Sequence, residues 1–93
     1  MPSIRWSPEA VDDLERIYRR IETDNPAAAL RVVQAIYDTA STLQTFPERG
    51  RLSRRSGARE IVFSPTLPYI LVYRVVGDRV EISRVWHAAQ DWH

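Results

Sequence analysis

Apolar positions along residues 57–87, GAREIVFSPTLPYILVYRVVGDRVEISRVWH, alternate with polar ones in runs that read as three consecutive strands. Ile61-Val62-Phe63 closes the first run. Tyr69 to Val76 forms the second, rich in β-branched and aromatic side chains, and Val80 to Trp86 forms the third. Ser64-Pro65 to Pro68 and Gly77-Asp78 make the two connections. A short Gly-Asp link between such runs predicts a hairpin, because glycine supplies the positive φ of a tight primed turn. The three runs together predict an antiparallel meander, and the residues before them must supply the layer that covers it.

The period lengthens N-terminal to this region. Ile4-Arg5-Trp6 reads as a first strand. Ser7-Pro8-Glu9 then opens a helix, with Ser7 as N-cap, Pro8 at the first helical position, and Glu9, Asp12 and Asp13 at the positive end of the dipole. Its apolar stripe is Val11, Leu14, Ile17, Tyr18 and Ile21, with Arg16, Arg19 and Arg20 mainly off it. Asn25 caps a second helix and Pro26 starts it, with a stripe of Ala29, Leu30, Val33, Ile36, Tyr37, Ala40 and Leu43 that ends near Phe46-Pro47. Two amphipathic helices joined by a tight link form an antiparallel hairpin whose stripes belong on the sheet. The expected fold is α+β: N-terminal strand, helical hairpin, three-stranded antiparallel meander, all in a single domain over residues 1–93.

Strand alternation divides the candidate chemistry between two faces. Ile70, Val72, Arg74 and Val76 share one face of the second meander strand, while Tyr69, Leu71, Tyr73 and Val75 share the other. On the third, Val80, Ile82, Arg84 and Trp86 oppose Glu81, Ser83, Val85 and His87. One sheet face is core; the other, partly apolar but carrying arginines or tyrosines, suggests a binding surface. A bulge would exchange the two.

Composition narrows the classes. The absence of cysteine rules out disulfides, thiolate zinc sites and a cysteine nucleophile, and it fits a reducing cytoplasm. No apolar run approaches the roughly 20 residues of a membrane span, and no signal-peptide pattern is present, so a cytoplasmic protein without membrane partners is expected. All 13 basic residues are arginine, yet net charge is only +1, a weak footprint for polyanion binding. Arg49, Arg51, Arg54, Arg55 and Arg59 cluster in the linker 47–60 with no acid among them. That cluster reads either as a contact for an acidic partner or as a solvated loop. His87, beside Trp86 at the end of the last strand, is the one internal histidine and the natural proton carrier near neutral pH. Two histidines, one of them terminal, argue against a metal site, and nothing in the sequence calls for a cofactor.

Read in order, these segments resemble the RelE/ParE superfamily of type II toxin–antitoxin toxins. The matching stretches are Ile4-Arg5-Trp6-Ser7-Pro8-Glu9-Ala10 with Asp13-Leu14 and Ile17, then Asn25-Pro26-Ala27-Ala28, Leu43 with Phe46-Pro47, and Gly50-Arg51. They continue through Gly57 to Val62, Pro68 to Val75, and Val80 to His87 with Ala88-Ala89-Gln90-Asp91-Trp92. The resemblance implies a growth-inhibiting toxin bound and neutralised by a cognate ParD/RelB-like antitoxin in a hetero-oligomer. It implies one of two targets. A ParE-like member inhibits DNA gyrase by protein contact and needs no catalytic residue. A RelE-like member is a ribosome-dependent mRNA endonuclease, for which His87, Arg84 and Arg59 would be the catalytic groups. The chain lacks lysine and has no tyrosine after Tyr73, features prominent in many RelE-like nucleases, and its His-Ala-Ala-Gln-Asp segment is closer to ParE-like members. Gyrase inhibition is therefore the first expectation. Antitoxin or target contacts are expected at Arg49, Arg51, Arg54, Arg55, Arg74, Tyr73 and Trp86.

Overall fold

The computed structural model describes residues 2–53, 57–63 and 67–88. Strand β1 (Ser3–Trp6) leads into helix α1 (Pro8–Glu22), and α2 (Pro26–Ser41) follows, ending in a 3₁₀ turn over Thr42–Gln44. The remaining strands are β2 (Arg51–Leu52), β3 (Arg59–Val62), β4 (Tyr69–Val76) and β5 (Arg79–His87). They form one five-stranded sheet in the order β1-β5-β4-β3-β2. The α+β arrangement is as the hydrophobic pattern implies, with two additions. β2, inside the predicted linker, pairs with β3 and extends the meander. β1 pairs with β5 in parallel, Ile4 opposite Val80 and Trp6 opposite Ile82, and makes the sheet mixed.

Local chemistry explains the helix starts. The Ser7 hydroxyl accepts from the Ala10 N–H at 3.0 Å and donates to the Ser83 carbonyl at 2.9 Å, so one side chain caps α1 and ties it to β5. Asn25 caps α2 through the Ala28 N–H at 3.1 Å. Gly77, at φ 58°, takes the left-handed position in the two-residue turn between Val76 and Arg79.

Both helices cover one sheet face. Ala10, Ile17, Ile36, Ala40 and Leu43 pack there against Ile61, Tyr69, Leu71, Tyr73, Val80, Ile82 and Val85. The predicted stripes are off in phase in places: Val11, Leu30 and Tyr37 are exposed. Tyr37 instead stacks on Trp6, ring centroids 6.2 Å apart. The parity of β5 changes along its length. Val72 faces Arg84 and Tyr73 faces Ile82, so Ser83 is an extra residue between them. This bulge puts both Ile82 and Val85 into the core although their numbers differ in parity. The opposite face carries a smaller cluster of Ala58, Ile70 and Val72 with Trp86 packed against it, and neither α1 nor α2 lies on that side.

Candidate functional site

The one buried charged side chain among the described residues answers a missing strand partner. β1 stops at Trp6, so β5 loses its parallel neighbour beyond Ile82. A strand edge left unpaired inside the protein would orphan its N–H groups. Helix α1 supplies the partner instead. Asp13, 4% exposed, accepts the Val85 N–H at 2.9 Å. The same carboxylate receives Arg84 through Nε at 2.7 Å and Nη2 at 3.0 Å, a two-point fork. Arg16 adds a longer contact at 3.4 Å from a side chain that is 72% exposed. Arg84 also lies 5.3 Å from the centre of the Trp86 ring, a cation–π distance. Its pKa is raised, chiefly by the hydrogen bond to Asp13, with the charges of Asp13 and Glu9 adding and burial opposing.

A cleft of about 360 Å³ opens beside this pair, between α1 and the ends of β4 and β5. Arg16, Arg20 and Arg84 bring three guanidinium groups to it, against the single carboxylate of Asp13. Tyr69 and His87 form its aromatic side and meet edge to face, centroids 5.3 Å apart. Burial pushes the Tyr69 phenol above its ordinary pKa of 10.0, and the charge of Arg20 pulls the other way. Trp86 lines this cleft and also a smaller cavity of about 190 Å³ on the opposite sheet face, shared with Glu60, Val72, Arg74 and Ser83.

The residues expected to carry function separate into groups. His87 and Arg84 come together in the cleft. Arg59 does not join them: it pairs with Tyr73 in the ladder, whereas His87 pairs with Tyr69. Four residues of strand separate these positions, roughly 13 Å at about 3.3 Å each. Arg59 Nη1 instead donates to the carbonyl of Gly50 at 2.8 Å and, more weakly, to that of Glu48 at 3.4 Å. Tyr73 is 0% exposed, which takes it out of any contact surface. Its hydroxyl accepts the Gly50 N–H and donates to the Pro47 carbonyl, both at 2.8 Å, and so pins the loop before β2. Gly50 is required there, because a Cβ would sit 2.7 Å from Tyr73 Cε1 and 2.9 Å from the Glu60 carbonyl. Arg49 donates to Thr42 at 2.9 Å and Arg51 pairs with Glu60 at 3.2 Å; both are exposed. Arg74 stands on the opposite sheet face beside Trp86. Arg54 and Arg55 lie outside the described residues.

Sequence reasoning missed Asp13, Arg16 and Arg20 as a group. The spacing did contain a signal: Ala10, Asp13 and Ile17 fall on one helical face, and all three are buried. An acid on an apolar face implies a cation brought to it from elsewhere in the chain. Among the described residues, no cluster of His, Cys, Asp or Glu is arranged to hold a metal ion.

Comparison with known proteins sets this geometry in context. Residues 4–92 match the family model described as ParE toxin of type II toxin-antitoxin system, parDE. The putative toxin Y4kP of Sinorhizobium fredii is 43% identical over 96% of the chain and 91% of its own length. Toxin RelE2 of Caulobacter vibrioides is 37% identical over 97% of the chain and 99% of its own length. Among solved structures, a chain of the chromosomal ParDE system from P. aeruginosa superposes with a TM-score of 0.83 at 30% identity, covering 94% of this chain and 96% of that one. YafQ from E. coli has a TM-score of 0.62 at 15% identity, with full coverage of both chains, and shares the fold.

Proposed function

The chain belongs to the ParE toxin family of type II toxin–antitoxin systems, and from that membership we propose that it arrests growth by binding DNA gyrase and is neutralised by a cognate antitoxin in a cytoplasmic hetero-oligomer. The observation that carries the choice of a protein target is the state of the candidate catalytic cations. Arg84 is locked to Asp13 in a fork that also closes the β5 edge. Arg59 is engaged with loop carbonyls at the other end of β4. Phosphoryl chemistry needs cations aimed at one developing charge, and these two serve the fold at separate places. On the other sheet face Arg74 and Trp86 are half-buried beside the buried cluster of Ala58, Ile70 and Val72, and arginine and tryptophan are side chains that protein interfaces favour. No helix among the described residues is long and apolar enough to cross a membrane.

The cleft supports a second reading, ribosome-dependent mRNA cleavage. It holds Arg84 and His87 with two further arginines, a set able to bind phosphate and move a proton. Two curated relatives also carry the name RelE, from Caulobacter vibrioides, at 37% and 30% identity. Pulse labelling after tightly controlled induction separates the two. Gyrase inhibition predicts that DNA synthesis stops first, that purified toxin blocks supercoiling, and that His87→Ala remains toxic. A collapse of protein synthesis within minutes, with cut transcripts and full loss of effect in His87→Ala, refutes gyrase inhibition.

A further inference from the structure

The cleft between α1 and the end of β5 holds more positive charge than the fold uses. Asp13 and Arg84 satisfy each other. Among the described residues, Arg16 has only its 3.4 Å contact with Asp13 and Arg20 makes no ion pair. The two stand four residues apart on α1, so their guanidinium groups are neighbours on one rim of the cleft. The rest of the lining is Ile17, Tyr69, Val85, Trp86 and His87. Apolar and aromatic surface beside the guanidinium groups strengthens an ion pair formed against it.

We propose that this cleft is the docking point for a carboxylate side chain from an acidic segment of the antitoxin, gripped by Arg20 and Arg16. The proposal rests on the antitoxin reading above and names the place and chemistry of one contact within it. One observation favours a single protein carboxylate over nucleic acid. Net charge is only +1, so the molecule as a whole has little field to draw in a polyanion, whereas one carboxylate needs only the two rim arginines. Arginine suits this task because its planar fork grips a carboxylate at two points.

The test is calorimetry of purified toxin with the antitoxin encoded beside it, for the unaltered chain, Arg16→Ala/Arg20→Ala, Arg20→Lys, and Arg31→Ala as an exposed control on α2. The double variant is expected to weaken binding by roughly tenfold or more, with a shallower salt dependence. Arg20→Lys is expected to fall between, and Arg31→Ala to match the unaltered chain. Binding unchanged in a folded double variant overturns the proposal and leaves the antitoxin reading intact. No antitoxin binding by the unaltered chain overturns both. A ten-nucleotide single-stranded RNA serves as the counter-probe. If it binds the unaltered chain and loses affinity in the double variant while antitoxin affinity is kept, the cleft is a nucleic-acid site and the proposal fails.

Discussion

Replacing Asp13 by alanine tests the central structural claim, that one buried carboxylate substitutes for a missing strand. The substitution strips the partner from the buried Val85 N–H, and a donor left unsatisfied costs about 1–3 kcal/mol. It also strips the fork from Arg84. Breaking a fully buried pair costs about 3–5 kcal/mol, but Arg84 is 39% exposed and can turn toward water, so about 1–2 kcal/mol is appropriate. The two effects together give a loss of about 3 kcal/mol. A small domain has only about 5–15 kcal/mol to lose. For a chain of this size that loss lowers Tm by roughly 12–24 °C. Asp13→Asn keeps an oxygen for the Val85 N–H and loses only the charge, so about half the penalty is expected. Urea unfolding followed by tryptophan fluorescence measures both variants against the unaltered chain. If Asp13→Ala lies within about 0.5 kcal/mol of the unaltered protein at the same m-value, the carboxylate is not closing the strand edge and the reasoning fails.

Three further outcomes follow from the same structure. Tyr73→Phe removes the hydroxyl that bridges Gly50 and Pro47 and is expected to cost about 1–3 kcal/mol in urea unfolding, with β4 intact by circular dichroism. Gly50→Ala drives a Cβ against the Tyr73 ring and the Glu60 backbone and should cost at least about 2 kcal/mol; a neutral result in the same assay shows that the loop can shift. Tyr69 holds its proton more tightly when folded than when unfolded, because burial disfavours the phenolate. Its contribution is therefore complete below pH 10.0 and is lost as pH rises through the higher folded value. Thermal melts should show Tyr69→Phe with a flatter decline than the unaltered chain above that pH.

The parts of this fold that depend on near neighbours were legible. Ser7-Pro8 and Asn25-Pro26 mark helix starts through contacts three residues long, and the structure has both caps. The Gly77-Asp78 turn and the bounds of β4 follow from local residue preferences as well. What required the whole chain was not legible. The partner of β1 lies on β5, and the partner of Asp13 is 71 residues away at Arg84. The bulge at Ser83 reverses the parity on which any assignment of β5 faces depends. Tyr73 looked like a contact residue because aromatic strand positions serve surfaces and cores alike. Only the register places its hydroxyl under the Gly50 loop. Arg59 and Arg84 could be named from sequence, but not that their hydrogen bonds are taken up by the fold.

The parallel pairing of β1 with β5 has a consequence for how the toxin comes into being. Residues 79–82 are synthesised 76 residues after their partners 3–6. Until those partners arrive, β1 has no ladder, the Ser7 cap has no Ser83 to grip, and Asp13 has no guanidinium to meet. Contacts this distant must wait for the chain between them, and closing them is slow. A ribosome that stalls before Arg79, or a gene cut short there, thus yields a polypeptide that cannot complete its sheet. Any activity that needs the complete sheet therefore appears in one step, once residues 79–85 have joined the chain that waits for them.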